Sequence, residues 1–357
     1  MNQNLNNDIR TDTESLLRFS EFTGDITPLL RRANEVREQN VGAAVHLRGL
    51  IELSNFCRCR CAYCGINADN KTVHRYRMTE SDVRESVPLA IQFGYGTIVF
   101  QSGEDFGLSD DFIARQIEWI KSLPTPWGQP LAVTLSLGQR SASAFALWRR
   151  AGADRYLIRF ETSSESLFAQ LHPHDPAGLK QREEVLFQLR DLGYQIGTGF
   201  LIGVPGQTRQ DWVNDLETLR RIQPDMIGVG PYLPHPHTAL GTLPPNTDVL
   251  SDKSTVLKTL ALSRLICPRA NIPSTTALAA LDVSHGHEDG LCCGANVIMP
   301  NLTPAQYRKL YEIYPAKGAT AEEAEKYDAI LKKRIVDLGR TVGVGPGGRS
   351  EKLGVRS

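Results

Sequence analysis

The sequence predicts an α/β protein built as a complete (β/α)8 TIM-type barrel, with an N-terminal helical cap and a C-terminal helix outside it. Three observations carry that prediction. Short β-rich apolar runs alternate with amphipathic stretches; eight such pairs fit into roughly 260 residues, as in a TIM barrel; and the amphipathic stretches open on capping residues and stop at glycines.

In order, the strand candidates are "HLRGLIEL" (46–53), "TIVFQS" (97–102), "LAVTLSL" (131–137), "RYLIRFE" (155–161), "IGTGFLIG" (196–203), "MIGVGPYL" (226–233), "IPSTTAL" (272–278) and "NVIMPN" (296–301). Helices are expected between them over 79–93, 109–122, 141–151, 179–192, 209–222 and 252–266, with a shorter one at 281–291 and a last one at 304–313. Thr79 before Glu80, Ser109 before Asp110 and Asp111, and Thr303 before Pro304 are N-terminal signals; "FGYG" and "AGAD" are stops. The barrel is thus assigned to 46–315. Residues 1–45 form an extension whose 13–39 stretch reads as one or two helices capping the N-terminal face. In 316–357 the stretch 320–338 is an amphipathic helix, and the closing "GVGPGGRSEKLGVRS" is expected to be mobile.

Composition narrows the function. Lysine plus arginine equals aspartate plus glutamate at 40 each, which argues against nucleic acid or an anionic membrane as partner. No run approaches the ~18 apolar residues of a membrane span, and the polar start "MNQNLNNDIRTDTESLL" lacks a signal pattern, so a cytoplasmic location is expected. A chain of 357 residues builds its own core without disulfide staples.

"NFCRCRCAYCG" (55–65) places Cys57, Cys59, Cys61 and Cys64 just after the first strand, at the end of the barrel where this fold keeps its chemistry. Cys57, Cys61 and Cys64 have the spacing Cys-x3-Cys-x2-Cys on one loop, so three thiolates can converge. Structural zinc asks for four closed ligands, commonly two separated pairs, and no second such pair exists. A [4Fe-4S] cubane accepts three thiolates and keeps one iron open, able to chelate S-adenosylmethionine (SAM) for reductive cleavage to a 5'-deoxyadenosyl radical.

Cys57-x3-Cys61-x-Tyr63-Cys64 resembles the radical SAM superfamily motif, in which an aromatic residue before the last cysteine packs near the adenine. "HLRGLIELSNFCRCRCAYCG", "NKTVHRYRMT", "FQSGED", "GADRYLIRFET", "GVGPYLPHPHT", "CGANVIMPNLTP" and "YRKLYEIYP", within 46–315, further resemble the HydE family of [FeFe]-hydrogenase maturases. The resemblance implies one [4Fe-4S] cluster and SAM as cofactors. It implies that Gln101, Ser102, Gly103 and Glu104 receive the methionyl amino group, that Ser136 and Glu161 meet the ribose and amino group, and that Arg182 pairs with the methionyl carboxylate, a task that suits a planar guanidinium fork. Tyr311 and Tyr314 resemble family tyrosines near the adenosyl cavity, and Met299 is a candidate for its wall.

Arg155 and Arg159 carry a separate argument. Strand alternation puts both on one side, and two guanidiniums inside a barrel require anions. An anionic substrate is expected there, with Thr134, Thr275 and Thr276 as hydroxyl donors. The family resemblance supplies a candidate: a cysteine-bound Fe(CO)2CN complex handed on by the maturase HydG. It also implies HydF and an electron donor such as ferredoxin or flavodoxin as partners.

The pairs His172/His174, His235/His237 and His285/His287 are read as loop residues rather than metal ligands, Cys59 as a loop cysteine without a role, and Cys292–Cys293 as packed thiols. Some HydE proteins bind a second cluster after the "YP"; residues 315–357 hold no cysteine, so a single cluster is expected. Phe160 stands where the family's "RHET" stretch has histidine, which bears on the neighbouring Glu161 and on substrate identity. The alternatives are a HydE-like paralogue acting by radical rearrangement or methylation on an amino acid, and a non-catalytic iron-sulfur scaffold.

Overall fold

Near-unbroken burial runs the length of Ala44–Ser54 (β1), the longest strand, because apolar residues on both of its faces are covered, one by the interior and one by helices. The computed structural model describes residues 9–175, 178–315 and 324–348. From β1 the parallel ladder runs through Thr97–Ser102 (β2), Ala132–Ser136 (β3), Arg155–Leu157 (β4) and Gln195–Thr198 (β5). Leu201–Ile202 (β6) breaks away from β5, Met226–Ile227 (β7) pairs with β5, and Gly230–Pro231 (β8) pairs with β6 in a small second sheet. Val297–Ile298 (β9) returns to His46–Leu47 of β1.

The seventh predicted strand, 272–278, is the main departure. Asn271 bridges Met226 and Pro273 bridges Val297, both parallel, so the pairings return to β1 through single bridges without a regular strand. Thr275 instead caps a helix over Thr276–Leu281, accepting from the Leu278 N–H at 3.2 Å. The β-branched "IPSTT" suggested extension, but a capping threonine ahead of "ALAAL" favours helix. The predicted 281–291 helix starts later, at Gly286–Cys292. The helix expected at 304–313 shrinks to Ala305–Arg308: Thr303 spends its hydroxyl on the Glu52 N–H of β1 (2.8 Å) and caps nothing.

Elsewhere the caps operate as expected. Thr79 and Asp82 form a reciprocal capping box at Glu80–Gln92, and Ser109 accepts from the Phe112 N–H, each worth about 1 kcal/mol. The N-terminal helices lie on the flank of the molecule: Thr13–Glu21 against Arg209–Ile222, and Thr27–Val41 against Lys253–Ile266.

The N-terminal mouth of the ladder is covered by the C-terminal segment. After Ala324–Asp337, residues Thr341–Val342 (β10) pair with Ala44–Val45. The chain then crosses the strand starts, where the Pro346 carbonyl accepts from Thr97 (2.9 Å) and Arg155 (2.9 Å) and the Gly347 carbonyl from Arg48 (3.3 Å). Gly96 is required beneath it, since a β-carbon there would strike the Gly345 carbonyl. The "GVGPGG" stretch is therefore seated through residue 348 rather than mobile; residues 316–323, which include the start of the predicted 320–338 helix, and 349–357 lie outside the described residues. Among the described residues no helix is long and apolar enough to cross a membrane.

Candidate active site at the cysteine loop

At the opposite mouth, β1 ends at Ser54 and the cysteine loop begins. Arg75 holds this loop in shape: its guanidinium donates to the carbonyls of Asn55, Ile66, Asn67 and Asn70 at 2.5–3.1 Å, tying the loop's entry to its exit. Asn55 adds bonds to the carbonyls of His74 (2.9 Å) and Leu310 (2.7 Å). Behind the loop, Arg77 grips Asp105 with both ends of its fork (2.7 and 2.9 Å), and Ser54 donates to the same carboxylate. Although burial opposes it, these donors hold the Asp105 carboxyl below its usual value. The sequence reading passed over Arg75, Arg77, Asn55 and Asp105; their signal is the short basic run "HRYR" facing a carbonyl-rich loop.

Cys57, Cys59, Cys61 and Cys64 are all half-buried thiols, none in a disulfide. Cys57 and Cys64 both lie near Arg75 and Tyr311, and Cys61 and Cys64 near Tyr63, so the three motif thiols share one neighbourhood. The Glu104 N–H lies 3.4 Å from Cys57 Sγ. The hydrogen bond to Cys59, and then burial, push the Cys57 thiol up. Cys59 interacts with both Cys57 and Cys61, between which it lies in the sequence. Among the described residues no group of three or more ligating side chains is gathered for a single metal ion. A cubane asks instead for one thiol to an iron, and the loop supplies three thiols on one short segment.

The strand-end residues meet at this level. Gln101 and Ser136 are register partners at the ends of β2 and β3. Gly103 donates to the Ser54 carbonyl (3.1 Å), and a β-carbon there would collide with Phe56 and Cys57, so only glycine lets strand and loop approach this closely. Ser102 bonds to the Gly103 carbonyl at 2.6 Å. Glu104 accepts from the Gln139 N–H (2.8 Å) and faces Arg58 at 3.6 Å. A cleft of about 450 Å3 opens beside these groups, lined by Arg58, Cys59, Arg60, Cys61, Glu104, Phe106, Gln139, Arg140, His172, His174, Asp175, Gln181 and Arg182.

Glu161 sits past β4 with φ +67°, a left-handed backbone that costs a non-glycine residue about 1 kcal/mol or more. Its Oε2 lies 3.0 Å from Arg159 Nη2, and its Oε1 accepts from the Tyr63 hydroxyl at 3.2 Å. Arg182, on Gly178–Asp191, donates to the Arg159 carbonyl (3.2 Å) and Asp175 (3.3 Å); burial works against its charge, but Tyr63, Cys61, Glu161 and Asp175 raise its pKa. Tyr314 and Thr276 share a 2.6 Å hydroxyl–hydroxyl bond, and the Tyr314 phenol is pushed up to about 12, mainly by burial, with Arg159 drawing it back. Tyr311 is buried, with Glu52, Tyr76, Cys64 and Cys57 around it. Tyr311 is not helical as expected, because the helix stops at Arg308. Met299 is half-buried just beyond β9.

Three sequence assignments change. Arg155 stands at the N-terminal start of β4, bonded to Gln195 (2.8 Å), Thr97 (3.1 Å) and the Pro346 and Gly347 carbonyls, so neutral acceptors of the chain itself occupy it. Strand alternation gives the face of a side chain but not its height along the barrel. Thr134 is Arg155's register partner and lies at that lower level, buried with no hydroxyl partner. Thr275 caps a helix as an acceptor, which leaves its hydroxyl proton for the donor role expected of it. Phe160 is fully buried against Phe200, in the core rather than beside the Glu161 carboxylate.

Residues 51–219 match the Radical SAM superfamily. The chain is 43% identical to the [FeFe] hydrogenase maturase subunit HydE of Thermotoga maritima over 321 residues, covering 90% of this chain and 88% of that one. The chain belongs to the HydE family of radical SAM enzymes. A 3-methylornithine synthase of Methanosarcina acetivorans is 27% identical over 92% of this chain and 85% of its own. The crystal structure of methylornithine synthase (PylB) superposes with a TM-score of 0.80 at 21% identity, covering 95% of each chain, and that of HydG, a maturase of the [FeFe]-hydrogenase, with 0.69 at 17%, covering 90% and 77%; these two likenesses speak to the fold. Membership of this HydE family implies a [4Fe-4S] cluster and SAM.

Proposed function

We propose that this HydE-family chain matures the diiron site of [FeFe]-hydrogenase, acting on a cysteine-bound Fe(CO)2CN precursor. The observation that carries the reading is the 43% identity to the Thermotoga subunit across nine-tenths of the chain. One cluster would be held by Cys57, Cys61 and Cys64, since residues 315–357 hold no cysteine. When bound, the cluster and SAM supply reductive cleavage of the sulfonium to a 5'-deoxyadenosyl radical.

The chain's own residues would do the rest. Gly103 and Ser102 present backbone carbonyls, and Glu104 a carboxylate, to the methionyl ammonium, while Arg182 receives the methionyl carboxylate. Tyr63, Gln101, Ser136, Glu161 and Tyr311 surround the nucleoside. Arg159 has a buried Nε without a hydrogen-bond partner, and an unsatisfied guanidinium N–H near Thr276 and Tyr314 suits the carboxylate of an anionic substrate. The covered lower mouth keeps water away from a primary carbon radical. HydG as supplier, HydF as recipient and a ferredoxin or flavodoxin as electron donor complete the proposal.

The test is anaerobic: reconstitute with iron and sulfide, add dithionite and SAM, and quantify 5'-deoxyadenosine beside a Cys61→Ala control. Product that needs Cys61 and rises with the cysteine-bound iron precursor supports the maturase. The 27% identity to 3-methylornithine synthase favours a second reading, radical chemistry on an amino acid. That reading predicts cleavage indifferent to the precursor and stimulated by an amino acid. No cleavage from a loaded cluster would favour the scaffold.

A further inference from the structure

His172 belongs to a histidine pair whose Pro-rich flanks read as loop, yet it touches the motif aromatic residue. It ends the helix Glu165–Leu171, and the Leu171 carbonyl accepts from the Ala62 N–H of the cysteine loop at 2.8 Å, so helix end and loop are tied together. Its ring is buried, lies over Phe168 at 4.2 Å, and meets Tyr63 edge-on at 5.6 Å. His172 Nε2 is 3.3 Å from the Tyr63 hydroxyl, which is also 3.2 Å from Glu161 Oε1.

These contacts select one tautomer. The phenol has a single proton, and the Glu161 carboxylate, paired with Arg159, is a stronger acceptor than an imidazole nitrogen. The phenol proton therefore goes to Glu161, and His172 must bring a proton on Nε2 for the second contact to be a bond. That leaves Nδ1 as a bare acceptor, and Nδ1 is the buried ring atom with no partner. A bare acceptor is cheaper to bury than an orphaned N–H, so the whole arrangement agrees. Burial keeps the ring neutral, with its pKa lowered to about 3.

We infer that His172 is a positioning residue for the SAM site: its Nε2–H bonds the Tyr63 oxygen and fixes the phenol so that it donates to Glu161. The inference rests on the proposed cluster-and-SAM reading. It orders a chain of side chains, Arg159, Glu161, Tyr63 and His172, drawn from the fourth barrel strand's end, the cysteine loop and a helix end.

The experiment compares wild type, H172F, H172Q and Y63F, each with its cluster reconstituted and its iron and sulfide content measured. SAM affinity is read by equilibrium dialysis, and the SAM-induced change in the reduced cluster's electron paramagnetic resonance spectrum is read alongside. H172F keeps an aromatic ring without a donor and should weaken SAM binding about ten-fold, the worth of one well-placed bond. H172Q restores an N–H and should recover most of that loss. In a Y63F background H172F should cost nothing further, because the oxygen it serves is gone. Unchanged affinity and spectrum in H172F, or losses in H172F and Y63F that simply add, would overturn the inference. If H172F fails to load a cluster, H172M fills the volume without a donor and takes its place. Wild type that loads a cluster but binds no SAM would instead overturn the underlying reading, and the two failures are thereby distinct.

Discussion

Arg155 and Arg159 lie four residues apart on one extended segment and end at opposite mouths of the barrel. Below, Arg155 is bonded by Gln195, Thr97 and two carbonyls of the C-terminal segment. Above, Arg159 faces Glu161 but keeps a buried N–H without a partner. The lower mouth is satisfied by the chain itself, which makes for stability. The upper is left incomplete, which is how a binding site is built.

The largest expected effect separates the two arginines. Arg159→Gln should lower precursor-stimulated 5'-deoxyadenosine formation about 100-fold, through loss of a positioned charge, with little change in the unfolding midpoint. Arg155→Met should do the reverse. It takes one donor from each of the Pro346 and Gly347 carbonyls, which keep Thr97 and Arg48, and removes the donor of the Gln195 amide oxygen, and should cost about 2 kcal/mol in urea unfolding, while cleavage per assembled cluster stays near wild type. If Arg155→Met silences a folded, loaded enzyme, the division between the mouths is wrong.

A pH experiment probes the lower mouth further. His46 lies between Gly343 and Gly347, and burial, with the charges of Arg48 and Arg155, lowers its pKa from 6.5 to about 4. The folded state therefore binds this proton less readily than the unfolded one. The stability it contributes is full above pH 6.5 and is lost as pH falls toward about 4, by at most about 3 kcal/mol. Amide exchange at residues 341–348 should accelerate through that window. His172 titrates in an overlapping window at the upper mouth, so a His46→Gln variant, in which the acceleration disappears, isolates the lower event. Gly345→Val is milder. It puts a β-branched side chain on a left-handed backbone, next to Trp127 and Gln129, and should cost about 2 kcal/mol with SAM affinity unchanged.

These two mouths also differ in how far the sequence exposes them. The cysteine loop was legible because its chemistry is covalent spacing on one short segment, and Gly103 and Glu104 follow directly from a strand end. The lower mouth was not. Gly-rich composition reads as mobile, and what holds the tail is its carbonyl oxygens, which every residue has. Arg155 was placed too high because periodicity reports a face and not a level. His172 was visible as half of a histidine pair, but its role depends on where a seven-residue helix ends.

The smallest effect belongs to Asp105, and it tests whether the upper mouth has a stabilising frame distinct from its incomplete centre. The carboxylate accepts from Arg77, Ser54 and the Gly107 N–H, and its folded pKa lies below the 3.8 of a free aspartate. A depressed carboxylate gives stability that is present above 3.8 and lost as pH falls through the folded value. Asp105→Asn keeps the shape but cannot pair with the Arg77 fork. In urea unfolding of the cluster-free protein it should be less stable than wild type at pH 7, and the gap should narrow only below pH 3.8, under the window of His46. A gap that closes already between pH 6.5 and 4 would mean that Asp105 is coupled to a histidine, and the frame would then be part of the site it surrounds. A gap that persists to acid would assign the cost of the substitution to Ser54 and Gly107 losing a neutral acceptor, with the Arg77 charge adding nothing.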